Sequence, residues 1–576
     1  MFKLFKYLKS YIILIFITFI LVAIQVMVDL SLPDYMSKIV DTGIVSNDLD
    51  YIFKIGLKML VISLMGALCT IFISFLASKI SSGFAKTIRK EVFSKVEDFS
   101  LLEIEKFGVS SLITRTTNDI SQIQLFIFML LRVVVAAPIM AIGGYIKAIE
   151  KSSSMAWVIG FSIFSLLIGV IILIIIGLPK VKLLQKYIDK LNLVIREHLI
   201  GLKDIKAFNN EEYQENKFDT ANIDLSNLNL YLNRIMSLVN PVIILILNMT
   251  VIMIIWFGAK QIEVGFLQVG NLMAFIQYVM QIIMSFLMLS MVLSILPRAT
   301  VSMQRVAEVI NTNPAITDQN NPVSINKSRP GLVEFKNVSY KYPGAKENVL
   351  NNISFKAKPN KVTAFVGSTG SGKSTLINLL LRFYDVTEGK ILIGNTDIRC
   401  LSQGELRDNI GYVPQEGILF SGTVESNLKY GKSNADNDEL YESAVRSESL
   451  DFIKKRKRGF KSIVTQGGTN FSGGERQRLS IARALIKSPN IYIFDDSFSA
   501  LDFKTDKKIR SSFKNNLKDS TILIIAQRIN TIMDADQIIV LDKGEIVGKG
   551  IHQDLLENCP VYKEIALSQL SAEELL

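Results

Sequence analysis

The chain has 576 residues, 49 % of them hydrophobic, and a net charge of +11. That length exceeds one domain, and three scattered cysteines (Cys69, Cys400 and Cys559) exclude a disulfide framework or a cysteine-ligated metal knuckle. The excess of cations on its own fits nucleic acid or a membrane surface, but it lies between long apolar runs, which points to the membrane and away from nucleic acid.

The first stretch, MFKLFKYLKSY, interleaves Lys3, Lys6 and Lys9 with Phe2, Leu4, Phe5 and Leu8. It reads as a short basic helix on the cytoplasmic interface, running on into a full-length span, with no cleavable signal. Six segments are long enough to cross a hydrocarbon core, which takes about 20 apolar residues. They centre on 11–32, 58–77, 125–146, 155–178, 238–259 and 271–296. The connections 79–122 and 180–234 are basic, whereas the loop after the first span carries Asp34, Asp41, Asp48 and Asp50. By the positive-inside rule both basic connections and both termini face the cytoplasm of a cell (plasma) membrane. Their helical periodicity predicts spans that continue beyond the bilayer.

Ionisable residues inside spans are candidates for function, and Asp29 and Arg132 are the clearest. On the sixth span Met273, Met280, Met284, Met288 and Met291 fall near one face, a surface that suits varied apolar ligands or ordinary helix packing. Asp41 is a candidate closure of an external gate or a solvated loop acid.

After Val309 a polar, Pro-containing linker (311–331) leads from a transmembrane domain (1–310) to a soluble α/β domain (332–576). There KVTAFVGSTGSGKSTLINLLLRFY gives a strand, a glycine-rich turn and a helix start, the setting of a Walker A motif. Gly367, Gly370, Ser371, Gly372, Lys373, Ser374 and Thr375 are its phosphate-binding residues. Backbone N–H groups cradle the phosphates, Lys373 meets the β- and γ-phosphates, and Ser374 ligates Mg2+.

Together with that motif, NFSGGERQRLSIARALI, 470–486, resembles the signature of the ATP-binding cassette family at Ser472, Gly473 and Gly474. The resemblance extends over essentially the whole chain. It implies a multi-domain fold, a six-helix transmembrane domain with long cytoplasmic extensions followed by an α/β P-loop cassette, with ATP and Mg2+ as cofactors. Tyr342 matches the adenine-stacking aromatic, Gln415 the glutamine loop that senses γ-phosphate and Mg2+, Asp495 the Walker B metal acid, and Asp502 the D-loop. SSLITRTTNDISQIQ and VIREHLIGLKDIKAFNNEE are similar to the cytoplasmic extensions of type IV exporters, near their coupling helices.

Members of this family close two cassettes head to tail, the signature of one completing the ATP site of the other, so a chain with one cassette requires a second half-transporter. The family's catalytic glutamate is here Asp496, one methylene shorter, and its switch histidine is Gln527, within ILIIAQRINT. Glutamine donates hydrogen bonds but offers no imidazolium charge. The only histidines are His198 and His552. Gln466 stands where many relatives carry a glutamate that meets the neighbouring coupling helix, and Glu475 replaces a common glutamine. The expectation is therefore the degenerate-site half of a heterodimeric bacterial multidrug exporter. Its own site binds ATP and hydrolyses it poorly, its signature completes the partner's competent site, and its cargo is a small amphipathic or lipid-like compound. A nucleotide-gated, channel-like or regulatory protein is the second expectation. An importer cassette, normally a separate chain, and a peptidase-bearing peptide exporter, for which the segment before the first span is too short, fit less well.

Overall fold

The computed structural model describes residues 2–326, 328–517 and 519–570. The chain divides into two compact units, one of residues 1–97 and 109–312, the other of residues 98–108 and 313–576.

The first unit is all helical. Leading residues Phe2–Tyr11 wind as a 3-10 helix into Ile12–Lys38. Helices Leu49–Glu97, Ala156–Ile200, Glu211–Glu263 and Val269–Asn311 follow, with Val109–Lys151 continuous between them. At 1.5 Å per residue the 49-residue helix Leu49–Glu97 is about 73 Å long, more than twice a hydrocarbon core of about 30 Å. The helices therefore extend beyond a bilayer, as their periodicity predicts.

Among the described residues five helices are long and apolar enough to cross a membrane. The expected fourth span, 155–178, lies within helix Ala156–Ile200, at positions whose side chains fall partly outside the described residues, so six crossings are not counted. Val22, Val26, Ile73, Phe275 and Ile282 form the buried seam of this unit, while Ile12, Phe16, Leu57 and Phe72 face outward, as lipid contact requires. The wide π turns Ile39–Ile44, Arg115–Asp119 and Leu130–Val134 interrupt otherwise regular helices.

The second unit is built on a six-stranded sheet. Its order is Glu545–Gly550, Gln537–Asp542, Val362–Gly367, Thr521–Ile525, Ile491–Asp495 and Ile410–Val413. All neighbours are parallel except the first pair. The strands Ile491–Asp495 and Thr521–Ile525 are buried at every position, which explains their unbroken apolar runs. A four-stranded antiparallel sheet, containing Val333–Tyr340 and Leu350–Ala357, packs beside it.

Helix Leu101–Phe107 belongs to this unit although its sequence neighbours lie in the other. Ser100 and Glu103 cap it reciprocally. Tyr384 donates from its hydroxyl to Glu105 at 2.8 Å, and Glu103 accepts from the Ala315 backbone N–H at 3.1 Å.

Candidate functional site

Parallel strands deliver their C-terminal ends to one edge of a sheet, and ligands of α/β folds bind there. Here that edge gathers Gly367, Asp495, the chain after Ile525 and the chain after Val413. Register fixes the alignment, because Ile525 pairs with both Phe365 and Asp495, and Val413 with Phe494.

Between strand Val362–Gly367 and helix Lys373–Leu380 the backbone turns tightly enough to demand glycine at two points. A Cβ on Gly367 would run into the Leu541 carbonyl oxygen. Gly372 has φ +98° and a Cβ there would lie 2.5 Å from Leu350 Cδ2. Lys373 Nζ is held over the turn by the carbonyls of Gly367 and Ser368, both at 2.8 Å, and by Ser371 Oγ at 3.2 Å. Burial lowers its pKa from the usual ammonium range, which the carboxylates of Asp496 and Asp495 partly oppose. Ser374 is exposed on the first turn of the helix, and Thr375 is buried with its hydroxyl 3.2 Å from Tyr342 OH. Tyr342 packs edge-on against Tyr340 and Tyr384.

Asp495 and Asp496 are 7 % and 8 % exposed. Burial raises both carboxyl pKa values, and the charge of Asp496 raises Asp495 further. Asp495 accepts from Tyr412 OH at 3.4 Å. Asp496 sits at φ +46°, a left-handed conformation that aspartate tolerates better than most residues. Its carboxylate accepts from Gln415 Nε2 at 3.4 Å and from the Gln527 backbone N–H. The Gln527 side chain is exposed beside it.

His552, the histidine of this unit, is buried with Nδ1 2.7 Å from Tyr562 OH, and His198 belongs to helix Ala156–Ile200 in the other unit.

The oxygen donors suit Mg2+, a hard cation that takes one or two carboxylates and completes its shell with water and phosphate. Among the described residues no group of three or more His, Cys, Asp or Glu forms a protein-only metal cage. Asp495, Ser374 and Gln415 are the residues that would hold a metal shared with nucleotide phosphates. The glycine turn, Lys373 and the helix N-terminus make the anion cradle that the phosphates need.

Ser472, Gly473 and Gly474 stand elsewhere on this unit, opening helix Gly473–Lys487. No hydrogen bond joins them to the 367–374 turn among the described residues. Ser472 Oγ accepts from the Glu475 backbone N–H at 3.3 Å, while Glu475 Oε2 accepts from Ser472 N–H at 2.8 Å. The departure at Glu475 is thus one half of a capping box. Asp502 caps helix Phe503–Asn516, accepting from Thr505 N–H at 3.0 Å. Gln466 opens a short exposed turn.

Two residues were not singled out from sequence. Gln477, 2 % exposed, donates to the Pro414 carbonyl at 3.1 Å and so ties the signature helix to the Gln415 loop. Gln569 donates to the Gln527 carbonyl at 2.7 Å and accepts from the Ile529 N–H at 2.9 Å, clamping the loop whose N–H groups include the donor to Asp496.

Comparison with known proteins finds a family match in each half of the chain. The ABC transporter transmembrane region matches residues 15–286, and the ABC transporter domain matches residues 350–499. An ABC transporter ATP-binding protein of Mycobacterium tuberculosis is 40 % identical over 567 residues, 98 % of this chain and 97 % of that one. The chain belongs to the ABC transporter family. An ABC transporter ATP-binding protein of Bacillus subtilis, YfiB, is 36 % identical over 99 % of both chains. An export ATP-binding/permease protein of Rickettsia conorii is 31 % identical over 99 % of both. A bacterial Atm1-family ABC exporter, solved with ATP bound, aligns at a TM-score of 0.80 and 25 % identity, covering 98 % of this chain and 99 % of that one. As an ABC transporter, this protein joins a membrane domain and an ATPase domain in one chain.

Proposed function

We propose that this ABC transporter is one half of an ATP-driven heterodimeric exporter, in which its own Walker site binds ATP but hydrolyses it slowly. Support for export comes from the relatives described as exporters. The observation that carries the asymmetry is Asp496, a short carboxylate drawn towards Gln415 and the Gln527 N–H, with glutamine at position 527 in place of the family's histidine.

ATP would place its adenine near Tyr342 and its phosphates in the 367–375 turn, against Lys373 and the helix N-terminus. Bound Mg2+ would neutralise phosphate charge, held by Ser374, Asp495 and, through its side-chain oxygen, Gln415. Asp496 would then orient an attacking water. Its carboxylate stands about 1.5 Å behind where a glutamate would reach, and misplacement near 1 Å costs about a hundredfold in a positioned reaction. Gln527 would touch the γ-phosphate as a neutral donor.

Ser472, Gly473 and Gly474 lack any such defect. The Ser472 hydroxyl and the N–H groups of Gly473 and Gly474 would donate to the γ-phosphate on a second cassette, while the Ser472 N–H is taken by Glu475 Oε2. The chain would therefore complete a competent site on a partner that keeps glutamate and histidine, while Asp502 positions the adjoining loop. Export from a cell membrane, with both termini cytoplasmic and an amphipathic cargo, completes the proposal.

The test is ATPase activity of the purified chain in lipid, alone and mixed with its partner. Little turnover alone and restoration on mixing are expected. Brisk hydrolysis by the chain paired only with itself would overturn the asymmetry. ATP-dependent accumulation of a dye against its gradient in inverted vesicles separates export from nucleotide-gated conduction.

A further inference from the structure

The two charged residues singled out within the spans, Asp29 and Arg132, line one cleft. It has a volume of about 220 Å³ and lies between helices Ile12–Lys38, Val109–Lys151 and Val269–Asn311. Among the described residues no ion pair joins the two, and the Asp29 carboxyl takes a hydrogen bond from the Gln25 side chain, which lines the same cleft. Charges at this depth are costly and persist where they serve a pathway or site. Arg132 lies on the π turn Leu130–Val134, a distortion found often at functional positions.

The acidic side of the cleft is more specific. Gln281 Nε2 donates to the Asp29 backbone carbonyl at 3.1 Å, which fixes the amide. Its oxygen, Gln281 Oε1, is buried and has no hydrogen-bond partner among the described residues. A buried acceptor left without a donor costs about 1–3 kcal/mol. A carboxylate and an orphaned amide oxygen thus belong to residues of one cleft wall, and together they call for a cation with more than one N–H. A quaternary ammonium satisfies the charge but not Gln281 Oε1.

Across the cleft, the exposed Arg132 guanidinium calls for an acidic group. Met284 and Met288 line the same cleft, and Met280 and Met291 continue the exposed stripe along their helix. The volume suits a headgroup rather than a whole drug-sized molecule, leaving an apolar tail to lie along the methionines.

We infer that this cleft is a headgroup site for an amphipathic zwitterion with a primary ammonium, held by Asp29 and Gln281 Oε1, and an acidic group, held by Arg132. This rests on the exporter reading for its transport role, but not for binding. The same chemistry is found in an ethanolamine lipid headgroup and in a short apolar peptide.

The test uses the full chain in phosphatidylcholine nanodiscs without ATP. Equilibrium binding is measured for lysophosphatidylethanolamine, its trimethylated counterpart lysophosphatidylcholine, and trileucine. The primary amine should bind about tenfold tighter than its trimethylated counterpart. Asp29→Asn and Arg132→Gln should each cost about tenfold, Asp29→Glu should retain binding, and Gln281→Met should erase the preference for the primary amine. Binding of only the lipid, or only the peptide, supports the site and identifies its source. Equal affinity for the two lysolipids, no binding of either zwitterion, or indifference to substitution in variants that melt normally would overturn it. Selective binding without ATP-driven export of that ligand by the paired transporter would leave the site standing and remove the exporter reading.

Discussion

Restoring the missing reach at Asp496 is the most direct probe of the nucleotide site. Asp496→Glu advances the carboxylate by about one methylene, or 1.5 Å, towards the space in front of Lys373 and Ser374. Correct placement to within about 1 Å is worth about a hundredfold, and general-base assistance as a whole about 10²–10⁴. Two terms oppose the gain. Position 496 has φ +46°, where a longer side chain costs about 1 kcal/mol more than aspartate. The bond from Gln415 Nε2 to the present carboxylate, 3.4 Å, is too long to contribute much and its loss is small. The net expectation is a rise of about tenfold for the single variant, and about a hundredfold when Gln527→His adds an imidazole beside it. The assay must isolate this site. Gly473→Asp in the same chain places a carboxylate where the signature would meet phosphate, closing the partner's site while leaving the 367–375 turn intact. Single-turnover hydrolysis in the heterodimer is then read with and without the two restorations. Unchanged rates with ATP still retained would refute the argument from reach.

Three further outcomes follow from individual contacts. Lys373→Ala should weaken ATP binding at this site at least tenfold with little change in melting, because its ammonium bonds only to its own turn; a fluorescent ATP analogue reports it. Glu475→Ala should cost about 1 kcal/mol of stability by opening the capping box on Ser472, whereas Glu475→Gln keeps it, and melting curves of the two distinguish them. Gly372→Ala should destabilise the cassette by about 1–3 kcal/mol, through its φ of +98° and the Leu350 contact, and lower nucleotide affinity as well, measured by melting with and without ATP and Mg2+.

The sequence was most informative where function is local. The turn 367–375 is a short consecutive run whose chemistry follows from its pattern, and the opening of helix Gly473–Lys487 is another, whose role is implied by the family resemblance. Asp496 and Gln527, 31 positions apart, were placed in one site by the family resemblance, and the parallel pairing of Ile491–Asp495 with Thr521–Ile525 is what brings them together. Gln477 with Pro414, Tyr384 with Glu105 and Gln569 with Gln527 were not legible. Each joins residues more than 40 positions apart through a single side chain with no periodic signature. The π turns escaped for another reason: Ile39–Ile44, Arg115–Asp119 and Leu130–Val134 are each too short for a change of period to show in the hydrophobic pattern. Helix Leu101–Phe107 reads as part of the membrane half by position, yet its Glu105 and capping Glu103 bond within the cassette unit. Asp502 was read only for its loop, although an aspartate three residues before Thr505 is also a sequence pattern for a helix N-cap.

The grip of Gln569 on residues 527 and 529 has a practical side. Shortening the polypeptide ahead of this glutamine removes both amide bonds to the loop beside Asp496, and a bulky fusion joined directly after Leu570 crowds them. Purification handles for nucleotide measurements therefore belong at the other end of the polypeptide, or behind a long spacer. Kinetic differences between trimmed and untrimmed preparations should be traced to that amide before they are credited to the bilayer.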